Sequence, residues 1–241
     1  MVTPLGIELG SRGALGRRAR TDDFEVISVT VEIDDWTCRL DFPDGWVDLT
    51  AAMELDPAGR AAWAREVVNF FNPLDLVASR ESMEKGLISL ARNAERTHAV
   101  LAAAYFAVGG ANYAVFDVQI FGEDGVVLSL DEVESRLLGH KEILGEPQVS
   151  RVELPVGLAV RLQAQYQSKG ILGFGKRLSE GVSYALLVPQ TSDVLLATMM
   201  WRAREHGAQF TRMADALMPT LSFVPLDGEG KPILEGGSSG V

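Results

Sequence analysis

Cysteine and histidine are scarce in this chain of 241 residues, which contains one cysteine, Cys38, and three histidines, His98, His140 and His206. A single cysteine excludes an intramolecular disulfide and a zinc site built from several thiolates. None of the histidines has a second histidine, cysteine or acid at the spacing of a metal site such as H-E-x-x-H. We therefore predict no metal ligands, and we predict that Cys38 is a small buried residue of the core.

Positive charge is also scarce. The chain has 22 Lys and Arg against 33 Asp and Glu, which gives a formal net charge of -11. Unspecific nucleic-acid binding needs a basic surface that can neutralise phosphates, so nucleic-acid partners are not expected. An anionic membrane surface is disfavoured for the same reason.

Long apolar runs are missing. The longest, from Ala99 to Val108, is about half the length of the roughly 20 residues that a bilayer span requires. The first residues, "MVTPLGIELGSRGALGRRAR", lack the apolar segment of a secretory signal. We therefore expect a cytoplasmic protein without a membrane span.

The composition itself, 47% hydrophobic and 23% charged, is that of a globular protein. Residues 1–22 contain several glycines and a small arginine cluster, and they predict a flexible N-terminal arm. Residues 23–226 are predicted to form a single domain. Residues 227–241 are rich in turn-forming residues and predict a flexible C-terminal tail.

The first half of the domain begins with alternating residues from Phe24 to Ile33, which predict a half-buried strand. Two further short strands, "WTCRLDF" and "WVDL", follow around the turn at Pro43-Asp44-Gly45, and the three together suggest an antiparallel start. A helix is predicted after Asp56-Pro57, because Asp caps the free amides and Pro suits the first helical position. A second helix is predicted from Arg80 to Arg96.

The most apolar region, "HAVLAAAYFAVGGANYAVFDVQIF", is divided by Gly109-Gly110. Paired glycines favour a hairpin turn, so strands are predicted at 99–107 and 112–121. A helix that continues to Val108 is the alternative, because the alanines 102–104 favour helix.

The second half is predicted to contain a capped helix from Leu130 to Leu138, four strands, and a last helix from Glu205 to Met218. The four strand segments are "QVSRVEL", "GLAVRLQAQYQ", "VSYALLVP" and "DVLLATMMW". The alternation of strands and helices typical of a nucleotide-binding sheet is missing. We therefore predict an α+β fold, a mostly antiparallel twisted sheet flanked by helices.

One segment, "GILGFGK" from Gly170 to Lys176, matches all but the last residue of a phosphate-binding loop. Such a loop needs a helix after the Lys and a Ser or Thr to bind magnesium. Arg177 stands in the place of that Ser or Thr, and the residues that follow favour a strand. We predict extended backbone after Lys176, and therefore no nucleotide cofactor.

The same loop carries the apolar residues Ile171, Leu172 and Phe174, followed by Lys176 and Arg177. Two interpretations stay open. The loop is a hairpin tip whose apolar residues fold back on the domain, or it is a contact loop that docks into another protein, since exposed apolar clusters rimmed by polar residues often mark interaction sites.

Other catalytic patterns are missing. The sequence has no G-x-S-x-G nucleophile elbow, and its paired aspartates read as the ends of strands. We predict no catalytic residues and no cofactor. An enzyme with a small-molecule pocket assembled only in three dimensions remains the alternative.

Four segments together resemble the PsbP-like α/β sandwich family: "LDFPDGWVDL", "VELPVGLAVRLQAQY", "VSYALLVPQTSDVLLATMMW" and "FTRMADALMPTLSF". The likeness runs from about Phe24 to Pro225 and is greatest to uncharacterised actinobacterial proteins and to LpqN-type lipoproteins of mycobacteria. It implies a twisted antiparallel sheet with helices on both sides. The chain departs from the lipoprotein pattern, since it has no lipobox.

Members of that family act as binding, assembly or chaperone factors and offer no catalytic residue to carry over. The resemblance therefore implies a non-catalytic adaptor or chaperone-like module. Its partner is expected to be another protein of unknown identity, and a homo-oligomer is compatible with the sequence.

Overall fold

The computed structural model describes residues 27–33, 36–75, 78–106, 112–122, 126–169, 176–189 and 191–225. The predicted terminal segments 1–22 and 227–241 lie outside these residues. The strands are Ile27–Ile33 (β1), Trp36–Phe42 (β2), Trp46–Asp48 (β3), Leu101–Phe106 (β4), Asn112–Phe121 (β5), Ile143–Leu154 (β6), Gly157–Lys169 (β7), Lys176–Leu187 (β8), Val194–Trp201 (β9) and Ser222–Pro225 (β10). The α-helices are Thr50–Met53 (α1), Pro57–Phe71 (α2), Arg80–Arg96 (α3), Leu130–Leu138 (α4) and Gly207–Leu217 (α5).

Seven of the strands form one large sheet in the order β3-β4-β5-β9-β8-β7-β6. Every neighbouring pair in this sheet is antiparallel. The predicted α+β fold with a mostly antiparallel sheet is therefore confirmed. β9, predicted as a central strand because it is apolar on both faces, lies between β5 and β8.

The remaining strands form a small sheet in the order β1-β2-β10. The sequence suggested that the first three strands form one antiparallel unit, and this is wrong for β3, which pairs with β4 of the large sheet. The chain changes sheets at Gly45, which has φ +90 and lies so close to Tyr105 that a Cβ atom would come within 2.7 Å of that ring. A glycine is needed at this position because other residues rarely adopt positive φ.

The main core lies between the two sheets. Alternate residues of β2, including Phe42, point at the large sheet, where the Phe42 ring packs 5.6 Å from Phe116 and 5.1 Å from Trp46. α5 covers the rest of this face, with Phe210 5.7 Å from Trp201. We call this side of the large sheet the sandwich face.

The opposite side, which we call the helical face, carries α1, α2 and α3 over β3 and β4. The predicted cap of α2 is confirmed, because the Asp56 side chain accepts a hydrogen bond from the Gly59 amide at 2.7 Å. Arg60 is 6% exposed and joins the helices: it donates to the Ala52 carbonyl at 2.9 Å and to Glu95 at 2.9 Å. Its charge is buried only because these acceptors surround it.

The apolar region around Gly109-Gly110 forms the predicted pair of strands, β4 and β5. The alternative of a helix up to Val108 is wrong. Residues 101–104 are all buried, since β4 lies between two strands and is covered on both faces. Burial on both faces overrides the helical preference of the alanines.

The other end of the helical face carries α4, which packs over β7 and β8. Its predicted capping box is present, with the Ser129 amide donating to Glu132 at 2.8 Å. Arg151 on β6 forms ion pairs with Asp131 and, at 3.2 Å, with Glu134. These contacts fix α4 to the sheet.

Candidate protein-binding site

The segment that resembles a phosphate-binding loop joins two paired strands. β7 ends at Lys169 and β8 begins at Lys176, and the two strands pair from Lys169↔Lys176 inward. The predicted extended backbone after Lys176 is confirmed, since β8 continues to Leu187. Its amides belong to the sheet, and no helix begins there to bind a phosphate.

The sequence-predicted contact residues are divided by this hairpin. Lys176 and Arg177 are the first residues of β8, opposite Lys169 and Ser168. Ile171, Leu172 and Phe174 lie outside the described residues. The structure therefore places the two basic residues at the hairpin end, directly after the apolar segment.

The rungs nearest the tip of this hairpin project beyond the neighbouring strand. β8 pairs with β9 from Glu180, which lies opposite Trp201, whereas it pairs with β7 from Lys176 onward. Four rungs, residues 166–169 against 176–179, extend past the end of β9. We call these eight residues the hairpin arm.

Two leucines expose apolar surface on one side of the hairpin. Leu178 on the hairpin arm is 42% exposed, and Leu144 on the adjacent β6 is 43% exposed. Leu178 pairs with Gln167 and Leu144 pairs with Gln165. Gln165 and Gln167 are two residues apart on β7 and therefore share a face, and each leucine lies on the same face as its partner. Both leucines therefore lie on the sandwich face, two rungs apart.

Glu180 anchors the base of the hairpin arm. Its carboxylate accepts hydrogen bonds from Trp201 Nε1 at 3.3 Å, Arg204 Nε at 3.1 Å and Gln165 Nε2 at 3.3 Å. One side chain therefore connects β7, β8, β9 and the segment before α5. The hairpin arm projects from a base that these contacts hold in place.

An ion pair fixes α5 over the same strands. Arg161 on β7 donates to the two carboxylate oxygens of Asp215 at 2.7 Å and 3.2 Å. The buried Tyr184 hydroxyl on β8 donates to the same carboxylate. Burial and this hydrogen bond raise the pKa of Tyr184 above its ordinary value, so the hydroxyl stays a donor at neutral pH.

Polar side chains also cross the centre of the helical face. Asp117 on β5 lies opposite Thr198 on β9, which lies opposite Ser183 on β8. The Ser183 and Thr198 hydroxyls are 3.1 Å apart, and Gln119 Nε2 donates to Asp117 Oδ2 at 2.9 Å. Burial raises the pKa of Asp117, and the bond from Gln119 opposes that rise in part.

Tyr166, on the first rung of the hairpin arm, extends this row. Burial raises the pKa of Tyr166, and a hydrogen bond with Ser183 acts in the opposite direction. The ring lies over Gly181, where a Cβ atom would meet Tyr166 at 3.3 Å and the Met199 carbonyl at 2.9 Å. We call Asp117, Gln119, Thr198, Ser183 and Tyr166 the polar strip.

Comparisons with known proteins assign no family to the chain. No family model matches it, and no curated protein matches it. Among solved structures, it is similar to LpqN of Mycobacterium tuberculosis, which is involved in cell envelope biogenesis. The identity is 12% and the TM-score 0.45, over 82% of this chain and 91% of LpqN.

A protein of unknown function from Pseudomonas aeruginosa, PA94, is similar over 45% of this chain and 72% of its own, at 20% identity and a TM-score of 0.35. Both likenesses are too distant to transfer a family or an activity. The PsbP-like membership that the sequence suggests therefore stays a prediction.

One small cleft lies among the described residues at the far end of β5. Its volume is about 270 Å³, and it is lined by Phe121, Gly122, Val126, Leu128 and Arg136. That volume is at the lower limit of ligand pockets. None of these described lining residues carries a carboxylate or an imidazole.

The described part of the chain also shows how its metal-ligating side chains and its one thiol are placed. No group of three or more metal-ligating side chains comes together there. Cys38 is fully buried, and burial raises its pKa to about 12, so the thiol is unreactive at neutral pH. In the same residues, no helix combines the length and apolar character needed to cross a bilayer.

Sequence reasoning missed the polar strip and the anchoring role of Glu180. A signal for the strip was present, because Asp117 and Thr198 interrupt strands that are mostly apolar. Asp is disfavoured in strands, so such a residue at a buried position indicates a local requirement. Nothing in the sequence indicated that Glu180 would meet Trp201 and Arg204.

Proposed function

We propose that this protein is a non-catalytic, cytoplasmic binding module that docks onto another protein through the hairpin arm and the loop at its tip. The observation that carries the proposal is the projection of the hairpin arm past β9. A projecting strand pair with a fixed base presents side chains to a partner while the domain behind it stays unchanged.

The exposed apolar surface of the hairpin supports this proposal. Leu178 and Leu144 lie on the same side, and both are more than two-fifths exposed. The proposal adds Ile171, Leu172 and Phe174 from the intervening loop, because large apolar residues at a tip are suited to insertion into a partner.

The size of the hairpin limits the affinity. Residues 166–179 are fewer than the about 20–30 residues that a standard interface takes from each partner. We therefore expect a transient complex, or one in which neighbouring residues such as Leu144 also take part. Lys176 and Arg177 are expected to favour an acidic surface on the partner.

The proposal is tested by replacing Leu178 with Ser, alone and together with Ile171, Leu172 and Phe174. Partners captured from a native lysate are quantified by mass spectrometry. We expect both variants to lose the partners that the unchanged protein captures, because the apolar anchors of an interface carry most of its free energy.

The matched control is Leu158→Ser. Leu158 is 46% exposed and lies on β7 as well, but at the opposite end of the strand from the hairpin arm. It should leave the set of partners unchanged. If the hairpin variants captured the same amount of each partner as the unchanged protein, the hairpin arm would not be the docking site.

A further inference from the structure

We propose that the polar strip is a second binding site, which takes a small organic cation: a primary ammonium or guanidinium group on a short apolar body. The site is centred on Asp117 and lies on the helical face. The strip shares Tyr166 with the hairpin arm, but Asp117 lies three strands away on β5, and the proposal does not rest on protein binding.

The polar strip lies in the space between two groups of helices. α3 packs on β4, while α4 packs over β7 and β8 and covers the Val194 end of β9. The side chains of Asp117, Thr198 and Met200 belong to neither helical core and are half-buried. This part of the helical face is therefore accessible from solvent.

The width of this space follows from strand spacing. Neighbouring strands lie about 4.8 Å apart, so β4 and the middle of the β7–β8 pair are separated by about 17 Å. Helices that pack directly have axes about 8–10 Å apart. Because α4 also packs on Val194 and Leu196 of β9, the space beside Asp117 is narrower than this separation and excludes a further helix, which is about 10 Å across. The half-buried Asp117, Thr198 and Met200 lie at its floor, where a small molecule could reach them.

Asp117 provides the charge that selects the ligand. Its carboxylate is half-buried, and the resulting loss of solvation raises its pKa. Its hydrogen bond comes from Gln119 on the same strand, so this bond does not connect Asp117 to a second element of the fold. No Lys or Arg side chain of the described ranges forms an ion pair with it. A cationic ligand would stabilise this carboxylate, since a charge that has lost part of its solvation gains from an opposite charge beside it.

The side chains around Asp117 determine which chemical groups the ligand carries besides its positive charge. The Thr198 and Ser183 hydroxyls provide further hydrogen-bond partners on one side. Half-buried Val115, Leu196 and Met200 provide apolar surface close by. A charged donor with a short hydrocarbon body matches both features, whereas an anion would be repelled by the carboxylate.

The experiment titrates the whole protein with n-butylammonium and n-butylguanidinium, each compared with neutral n-butanol. Backbone amide shifts are followed by NMR. We expect saturable shifts at Asp117, Gln119 and Thr198 for the cations, and binding at least about tenfold weaker for the alcohol, because hydrogen bonds to charged groups are the stronger ones.

Asp117→Asn should weaken binding of the cations by at least about tenfold while leaving that of the alcohol unchanged. The control is Glu153→Gln, which removes the same charge from an exposed position on β6 and should leave cation binding intact. Equal binding of alcohol and cations would overturn the proposal, and this comparison needs no variant. Shifts that do not saturate, or that leave the polar strip unaffected, would also overturn it.

Discussion

Arg161 on β7 and Asp215 on α5 form a bidentate ion pair, with both carboxylate oxygens within 3.2 Å of guanidinium nitrogens. The Arg161 side chain is 15% exposed and that of Asp215 44%. The Tyr184 hydroxyl donates to the same carboxylate. One side chain of the last helix is thus joined to two adjacent strands of the sheet.

Asp215→Ala should lower the free energy of unfolding by about 2 kcal/mol, because it leaves a largely buried guanidinium and a buried hydroxyl without their acceptor. Urea unfolding at neutral pH measures this value. Glu81→Ala is the control, since Glu81 pairs with Lys85 where both side chains are more than 70% exposed. Its effect should stay under about 0.5 kcal/mol. Similar values for the two variants would contradict the role given to Asp215.

Two glycine substitutions should act in opposite directions. Gly181→Ala places a Cβ atom 2.4 Å from Met200 Sδ and 2.9 Å from the Met199 carbonyl, so we expect a loss of about 1–3 kcal/mol. Gly86→Ala meets nothing within 4 Å on α3 and should gain up to about 1 kcal/mol from its higher helix propensity. Urea unfolding of both variants checks the prediction. A neutral Gly181→Ala would mean that the packing of Tyr166 and Met200 over this position is loose.

Asp117→Asn should stabilise the protein when no ligand is added. Burial raises the folded-state pKa of Asp117 above its ordinary value, which means that folding disfavours the charged form. Stability should therefore fall as pH rises from the ordinary Asp value, about 3.9, toward the raised one. Asn cannot ionise, so the stability of the variant relative to the unchanged protein should increase across this range, as unfolding midpoints of both measured at each pH would show. A variant less stable than the unchanged protein at neutral pH would indicate that the carboxylate supports the fold.

Cys38 should resist alkylation until the protein unfolds. The thiol is fully buried, and burial raises its pKa from 9.0 to about 12. Because folding disfavours the thiolate, the thiol contribution to stability is intact below pH 9 and is lost as pH rises toward 12. The labelling rate at pH 8 in increasing urea should follow global unfolding. A Ser82→Cys variant, at an exposed position on α3, should gain one thiol that reacts at once.

Helix boundaries were predictable because short-range chemistry marks them. Asp56 before Pro57 starts α2, and Ser129 with Glu132 starts α4, as their cap hydrogen bonds confirm. α3 has the predicted bounds, Arg80–Arg96. Each of these signals involves residues within one helical turn, so a single sequence contains all the information that is needed.

Strand partners were less predictable because pairing is not local. The alternation in β7 and β8 indicates strands, but nothing near Trp46 shows that β3 leaves the first two strands and joins β4. The polar strip was predictable only in part for the same reason, since single polar residues within the strands gave a signal but their assembly into one row did not. Asp117, Ser183 and Thr198 come from three segments of the chain, and only the sheet order places them in one row.

The central claim, docking through the hairpin arm, is tested most directly by photo-crosslinking in living cells. Benzoylphenylalanine is placed at position 178 in one variant and at position 158 in another, since Leu178 and Leu158 are similarly exposed at opposite ends of the hairpin. The account predicts a discrete crosslinked protein for position 178 and none for position 158. Equal crosslinking at both positions, or crosslinking at position 158 alone, would contradict it.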